Sequence, residues 1–284
     1  MPSLDMPAVN LLGSNIAITN FEQLPEDIHQ LVQLATPAYV CFATAHMIVS
    51  ATRAPAIRDA YRDAAFISPD GVPVAWVLRI LGARTSRCVS GPRAMPTILA
   101  MASDKNIRVG FYGGRPETLR LLNERITRDY PHLQVVYNYS PPFRPLSFEE
   151  EEMHAVDIRR SGVQILFVGL GSPRQECWMH RERKRLDCVC LGVGAAFEFF
   201  TGEKHLPPVW IQALGLTWLI RLLQEPRRLL GRNLYSLVFV YLALIWIGMS
   251  ERQRAAWETA IKQRLTIQGV HGHTDTVLEQ IVTR

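Results

Sequence analysis

The sequence predicts an α/β protein with a mainly parallel, Rossmann-like sheet and helices on both faces of that sheet. Three observations predict this fold. Apolar runs of strand length alternate with stretches of helical length, and polar turns containing glycine follow several of the runs. The chain has 284 residues and is 48% hydrophobic, which is ample for a large core. Alternating strands and helices are typical of a parallel sheet covered by helices.

The central strands are predicted from six apolar runs. A further short β element, Val9–Thr19, is predicted to pack at an edge of the sheet. The predicted central strands are Ala38–Thr44, Ala64–Ser68, Ile107–Tyr112, Gln134–Tyr139, Val163–Val168 and Asp187–Val193.

The segments between these strands have helical length and composition. The predicted helices are Met47–Ala60, Val72–Leu81, Pro92–Ser103, Glu117–Tyr130, Phe148–Arg160 and Pro173–Leu186.

The character of the chain changes after Gly202, and we expect an α/β domain at 1–202 and a helical appendage with a tail at 203–284. The appendage mixes basic with bulky apolar residues, a composition typical of membrane-associating helices. Its segment Leu234–Met249 is apolar apart from Ser236. This segment is shorter than the ~20 residues that span a bilayer. We therefore expect a monotopic or subunit-packing helix there.

The net charge limits the classes of binding partner that we expect, and the cysteine content indicates the redox state of the compartment. A net charge of +5 fits an anionic partner such as a sugar nucleotide, an acidic membrane surface or a nucleic acid. The five cysteines are an odd number and lie mostly in apolar runs, which favours buried thiols in a reducing compartment. We expect no signal peptide, because no basic region leads into an apolar core at the N-terminus. We also expect no metal, because the histidines lack a shared ligand spacing.

Four polar turns follow predicted strands. In parallel sheets, ligands bind beyond the carboxyl ends of the strands. We therefore expect the functional site where these turns meet. The turns are Thr44–His46, Ser68–Gly71, Tyr112–Arg115 and Gly169–Pro173.

The turn after the strand Val163–Val168 has two interpretations. Gly169, Gly171 and Ser172 would expose backbone N–H groups at the mouth of the next helix, which favours a phosphate. The same glycines would also serve simply to reverse the chain. Gln175 and Glu176 would hydrogen-bond a base or ribose, or would only cap the helix and face solvent.

Other candidate residues also have two interpretations each. Asp70, in a Pro-Asp-Gly turn, caps backbone N–H groups or deprotonates a hydroxyl nucleophile. Gly113 and Gly114 admit a ligand close to the backbone or only turn the chain. Arg221 and Arg228 pair with a diphosphate, or belong to a basic face that meets solvent or lipid headgroups.

Four segments, taken together and in order, resemble the WecG/TagA/CpsF glycosyltransferases, glycosyltransferase family 26 of bacterial surface-polysaccharide assembly. The similarity extends over roughly residues 8–232. The segments starting at Gly169 and Leu216 are specific for the family, and the Pro-Asp-Gly turn alone is not. The four segments are Ser68–Gly71, Gly169–Glu176, Gly192–Gly202 and Leu216–Arg228.

The resemblance implies an inverting, metal-independent and cofactor-free transfer of a sugar from a UDP-sugar to a polyprenyl-pyrophosphate-linked glycan. Residues 1–202 would form the catalytic domain. Asp70 matches the aspartate regarded as the general base, and Arg221 and Arg228 match arginines that would close over the nucleotide. The implied donor-binding residues are Thr44, Gly113, Gly114, Gly169, Gly171, Ser172, Gln175, Glu176, Arg221 and Arg228.

The sequence departs from the family pattern around the expected donor pocket. Thr44 stands where asparagine is usual, and Glu198 stands where aspartate is usual. We therefore leave open an N-acetylmannosamine-type donor or glucose, the latter as in a xanthan-type exopolysaccharide branch. The expected location is the cytoplasmic face of the inner membrane, in peripheral or monotopic attachment. The lipid surface of this membrane and other polysaccharide-assembly enzymes are the expected partners of the protein.

Two other classes of function compete with an enzyme. A non-catalytic scaffold for a polysaccharide-assembly complex at the membrane would keep the basic and apolar appendage but would not need Asp70. A nucleic-acid-binding protein is suggested only by the charge, and we do not expect nucleic acid as a partner.

Overall fold

The structure is a computed structural model that describes residues 4, 6–205, 239–250, 252, 253 and 256. The strands are β1 (Ala8–Leu11), β2 (Ser14–Ala17), β3 (Ala38–Ala43), β4 (Phe66–Pro69), β5 (Val109–Gly113), β6 (Val135–Tyr139), β7 (Ile165–Gly169) and β8 (Val189–Gly192). The helices are α1 (Leu24–Gln33), α2 (Ala45–Ala51), α3 (Pro55–Arg62), α4 (Val72–Ile80), α5 (Gly91–Asp104), α6 (Pro116–Asp129), α7 (Phe148–Ser161), α8 (Arg174–Glu182) and α9 (Ala196–Thr201).

The described strands form one sheet in the order β1-β2-β4-β3-β8-β7-β5-β6. Only the β1–β2 pair in this sheet is antiparallel, and it forms the predicted edge element, with Val9 opposite Ile16. The other pairs are parallel. The predicted α/β class with a mainly parallel sheet is therefore confirmed.

Helices cover both faces of the sheet, as predicted. Alternate side chains of β3 enter two separate hydrophobic clusters, because successive residues of a strand point to opposite faces. Val40 and Phe42 join a cluster with α1, α5, α6 and α9. Tyr39 and Cys41 join a cluster with α2, α3, α4, α7 and α8. Every residue of β3 is buried, which explains its continuous apolar sequence.

The helix prediction was wrong for two of the predicted helices and missed two others. The predicted helix Met47–Ala60 is divided into α2 and α3, because Pro55 disfavours a helical conformation in Ala54, which is extended at φ −113° and ψ 111°. The predicted helix Pro173–Leu186 ends earlier, at Glu182. Helices α1 and α9 were not predicted.

Part of the predicted appendage packs on the α/β domain. Residues 239–248 are helical. Phe239, Ala243 and Trp246 are buried in the same cluster as α2, α3 and α4. The opposite face of this segment exposes Val240, Tyr241, Leu244 and Ile245. Residues 206–238 lie outside the described part, so the boundary after residue 202 stays a prediction. Within the described residues, no helix combines the length and apolar character needed to cross a membrane.

We expect Phe239→Ala to lower the free energy of unfolding by about 3–5 kcal/mol, because a fully buried phenyl ring is replaced by a cavity. Tyr241→Ala is the matched control, since Tyr241 is 64% exposed and its loss should cost no more than about 0.5 kcal/mol. Urea unfolding followed by circular dichroism measures both values. Equal costs would contradict the packing of residues 239–248 on the core.

Candidate active site

The predicted polar turns lie along the carboxyl edge of the sheet, as expected. Ala43 pairs with Pro69, so Thr44 and Asp70 follow neighbouring positions on β3 and β4. Gly113 pairs with Gly169 in the same way on β5 and β7. The register therefore divides the candidate site residues into two groups, one on each side of β8.

The loop after β8 joins the two groups, and the sequence prediction named no site residue on it. Four strands, β4, β3, β7 and β5, carry the candidate turns, and with β8 between them they form an edge of about 19 Å at the usual strand spacing. The β8 loop, Val193–Ala195, lies in the middle of that edge. Its signal was present in the sequence as Gly192-Val193-Gly194 directly after a buried strand.

Asp70 lies at the end of β4 and is half-buried. Its backbone N–H donates to the carbonyl oxygen of Ala43 at 3.0 Å, which ties the turn to the neighbouring strand. Gly71 follows with φ +100° and is the N-cap residue of α4. A side chain at this position would be strained, so the Pro-Asp-Gly turn requires its glycine.

Thr44 has a structural contact of its own. Its hydroxyl oxygen accepts the backbone N–H of Met47 at 3.4 Å and thereby caps α2. The hydroxyl retains its donor proton and a second lone pair. Contact of Thr44 with a donor molecule stays a prediction.

Gln175 connects α8 to the β8 loop. The side chain is only 2% exposed. Its Nε2 donates to the carbonyl oxygen of Gly192 at 2.7 Å, and its Oε1 accepts the N–H of Gly194 at 3.0 Å. Both ends of the amide are therefore used to hold the loop in the middle of the edge.

Glu176 is fully buried in the first turn of α8. Its Oε1 accepts the hydroxyl of Ser172 at 2.7 Å and the amide Nε2 of Gln175 at 3.1 Å. A carboxylate at this position complements the helix dipole. This arrangement weakens the argument for a phosphate at the mouth of α8. Donor binding by Ser172, Gln175 and Glu176 stays a prediction.

The glycines at this edge differ in what surrounds them. A Cβ atom on Gly113 would lie 2.6 Å from the carbonyl carbon of Gly169, and one on Gly169 would lie 2.6 Å from the Phe197 ring. These two glycines are required for close packing of the turns. Gly114 has φ +70°, and a Cβ atom on it would lie 3.1 Å from the Phe197 ring, so a side chain would be strained there as well. Gly171 has φ +78° and open space around its Cα, so a ligand would find room there.

Two residues near the site were missed by the sequence prediction. Tyr61 on α3 is buried, and this burial raises the pKa of its phenol well above the usual value, with further contributions from the charges of Glu176 and Asp70. Cys88 accepts the N–H of Gly71 at 3.1 Å. No local sequence pattern marks either residue, because each lies outside the turn and reaches it only through the packing of the fold.

Charged residues at the margin of the site form ion pairs. Arg115 contacts Glu203 at 2.6 Å, and Lys204 contacts Glu198 at 3.0 Å. In the described part of the chain, no three His, Cys, Asp or Glu side chains are grouped so that they could hold a metal ion. Arg221 and Arg228 lie outside the described residues, and their contact with a diphosphate stays a prediction.

The fold and the candidate site define a class: an α/β protein with polar turns at the carboxyl edge of a mainly parallel sheet, and with a carboxylate, Asp70, at the end of one strand. The sequence model of the family described as "Glycosyl transferase WecG/TagA/CpsF family" matches residues 9–254. The chain therefore belongs to this family, and it is a glycosyltransferase.

Similar proteins include two enzymes named N-acetylglucosaminyldiphosphoundecaprenol N-acetyl-beta-D-mannosaminyltransferase. The one from Bacillus subtilis (strain 168) is 28% identical over 176 residues, which cover 61% of this chain and 67% of the relative. The one from Bacillus spizizenii is 29% identical over 192 residues, which cover 67% of this chain and 73% of the relative.

We expect Gly113→Ala to destabilise the protein by about 2–5 kcal/mol, from a left-handed backbone cost of about 1–2 kcal/mol and a clash cost of about 1–3 kcal/mol. Gly13→Ala is the control, because Gly13 also has a positive φ, +85°, but has nothing within 4 Å of the added atom. Gly13→Ala should therefore lower the free energy of unfolding only by the cost of the left-handed backbone, about 1–2 kcal/mol. Urea unfolding measures both variants, and a Gly113 variant no less stable than the Gly13 variant would refute the close packing of the turns.

Proposed function

We propose that the protein transfers a sugar from a UDP-sugar to a polyprenyl-diphosphate-linked glycan, with inversion and without a metal ion. The observation that carries this proposal is the position of Asp70, a half-buried carboxylate at the carboxyl edge, beside Thr44 on the neighbouring strand. The relatives support the acceptor class, because their name specifies a diphosphoundecaprenol-linked sugar.

Asp70 acts as the general base in this proposal. Its carboxylate removes the proton from the acceptor hydroxyl as the oxygen attacks the anomeric carbon on the face opposite UDP. The bond from the anomeric carbon to the UDP oxygen breaks, and the diphosphate leaves with its electron pair. Cations that neutralise the developing charge would lower the barrier. Arg221 and Arg228 are the residues proposed to supply them.

The donor is an N-acetylmannosamine-type UDP-sugar or UDP-glucose. The relatives favour the first, since both are named as N-acetylmannosaminyltransferases. The threonine at position 44 and the glutamate at position 198 keep the second open, because both depart from the family pattern around the donor pocket. The proposed setting is bacterial exopolysaccharide or other surface-polysaccharide synthesis, in association with other assembly enzymes.

We place the protein on the cytoplasmic face of the inner membrane, in peripheral or monotopic attachment. The helical segment 239–248 supports this location, because its outer face exposes Val240, Tyr241, Leu244 and Ile245 to solvent. Clustered exposed apolar side chains mark interaction surfaces, and an acceptor with a polyprenyl chain resides in a membrane.

We expect Asp70→Asn to lower acceptor-dependent UDP release at least about 100-fold, because the amide cannot accept the proton. The assay uses a panel of UDP-sugars, a polyprenyl-diphosphate-linked mono- or disaccharide and excess EDTA. Asp104→Asn, on the exposed end of α5, is the control and should retain wild-type activity.

Inhibition by EDTA would contradict the metal-independent reaction. Full activity of Asp70→Asn would contradict the role of Asp70. If that variant also sustained polymer synthesis in cells while no donor was consumed in vitro, the non-catalytic scaffold would be the better interpretation.

We expect Leu244→Glu to weaken binding to anionic phospholipid vesicles about tenfold or more, because one buried leucine contributes about 1.5–3 kcal/mol. Leu34→Glu is the control, because Leu34 is 50% exposed and therefore comparable with Leu244, which is 60% exposed. Leu34 belongs to a different part of the fold, since it lies just after α1. Vesicle co-sedimentation measures both. Equal binding of the two variants would exclude the outer face of residues 239–248 as the membrane contact.

A further inference from the structure

The Pro-Asp-Gly turn is held by hydrogen bonds from the backbone N–H groups of Asp70 and Gly71. The N–H of Asp70 donates to the Ala43 oxygen at 3.0 Å, and the N–H of Gly71 donates to the sulfur of Cys88 at 3.1 Å. Gly71 adopts φ +100°, and its side of the α4 N-terminus has no side-chain cap. The Cys88 sulfur is therefore the partner of the Gly71 N–H, while the Gly71 carbonyl oxygen accepts the N–H of Ala75 at 3.2 Å in the first turn of α4.

Cys88 is itself held in place by the backbone on either side of it. The N–H of Val89 donates to the Pro69 oxygen at 2.8 Å, and the N–H of Arg87 donates to the Thr19 oxygen at 3.1 Å. The hydroxyl of Ser68 donates to the Val89 oxygen at 3.4 Å. This short segment is thus anchored to β4 and to the residues after β2, which fixes the main chain from which the Cys88 side chain extends.

The sulfur is also in the right protonation state for this contact. Burial, followed by the charge of Asp70, raises the pKa of the Cys88 thiol to about 12. The group is therefore a neutral thiol at physiological pH, and it accepts the amide hydrogen without placing a second negative charge beside the Asp70 carboxylate.

We propose that Cys88 is a positioning residue for the candidate base: through its bond to the Gly71 N–H, it fixes the turn that aims the Asp70 carboxylate at the acceptor hydroxyl. The inference rests on the proposed function of Asp70. A displacement of about 1 Å in a reacting group is enough to reduce turnover as much as 10²-fold. Loss of the sulfur should therefore lower the rate of the chemical step without weakening donor binding.

The test compares Cys88→Ala, which removes the acceptor, with Cys88→Ser, which retains one on a shorter bond. We expect Cys88→Ala to lower kcat about tenfold or more with KM for the donor within about twofold of wild type. Cys88→Ser should recover most of kcat. Cys177→Ala, a half-buried cysteine on α8, is the control and should leave both constants unchanged.

Hydrogen–deuterium exchange of the peptide containing Asp70 and Gly71 gives a readout that does not depend on activity. Exchange should be faster in Cys88→Ala than in wild type and should return toward wild type in Cys88→Ser. Wild-type kcat in Cys88→Ala, a loss confined to KM, or a serine variant as slow as the alanine variant would overturn the proposal. If Asp70→Asn proves fully active, the proposed role of Asp70 fails, and hydrogen–deuterium exchange alone decides whether the Cys88 sulfur holds the turn. Unchanged exchange in Cys88→Ala would show that the sulfur does not hold it.

Discussion

The pairing of β8 with both β3 and β7 is the constraint on which the site depends. Val189 is aligned with Ala38 on one side and with Ile165 on the other, although β3 precedes β8 by about 150 positions in the chain. The strand thereby joins a half of the sheet that carries Asp70 to a half that carries the glycine turns. Without this insertion the two groups of candidate residues would belong to separate sheet fragments, and no common edge would exist.

The middle of the edge is held by a polar network in which Gln175 and Glu176 are buried. Gln175 uses both ends of its amide on the β8 loop, and Glu176 accepts the hydroxyl of Ser172 and the amide of Gln175. Buried polar groups of this kind are costly unless satisfied, so the network specifies one loop arrangement. The sequence suggested Ser172, Gln175 and Glu176 as donor-binding residues. In the structure, their hydrogen bonds hold the β8 loop at the middle of the candidate site.

The sequence was informative for the site wherever a residue type is required by local geometry. Asp70 and the glycines at 113 and 169 were identified correctly as members of one edge, because polar turns after buried strands have few alternatives in a parallel sheet. Cys88 and Tyr61 were not identified, since a thiol or phenol becomes significant only through what packs against it. The division of the predicted helix Met47–Ala60 was missed for a different reason: the apolar pattern continues through the break, and only Pro55 marks it.

The sequence by itself determined the fold class, the family and the turns that end the strands, because these follow from local periodicity and from motifs that are contiguous in the chain. Tertiary structure alone decided the order of the strands, the central place of the β8 loop and the contact between Gly71 and Cys88. It also decided that one face of residues 239–248 is buried and the other exposed. These features join residues far apart in the sequence, and such pairings are selected by the packing of the whole core rather than by any local pattern.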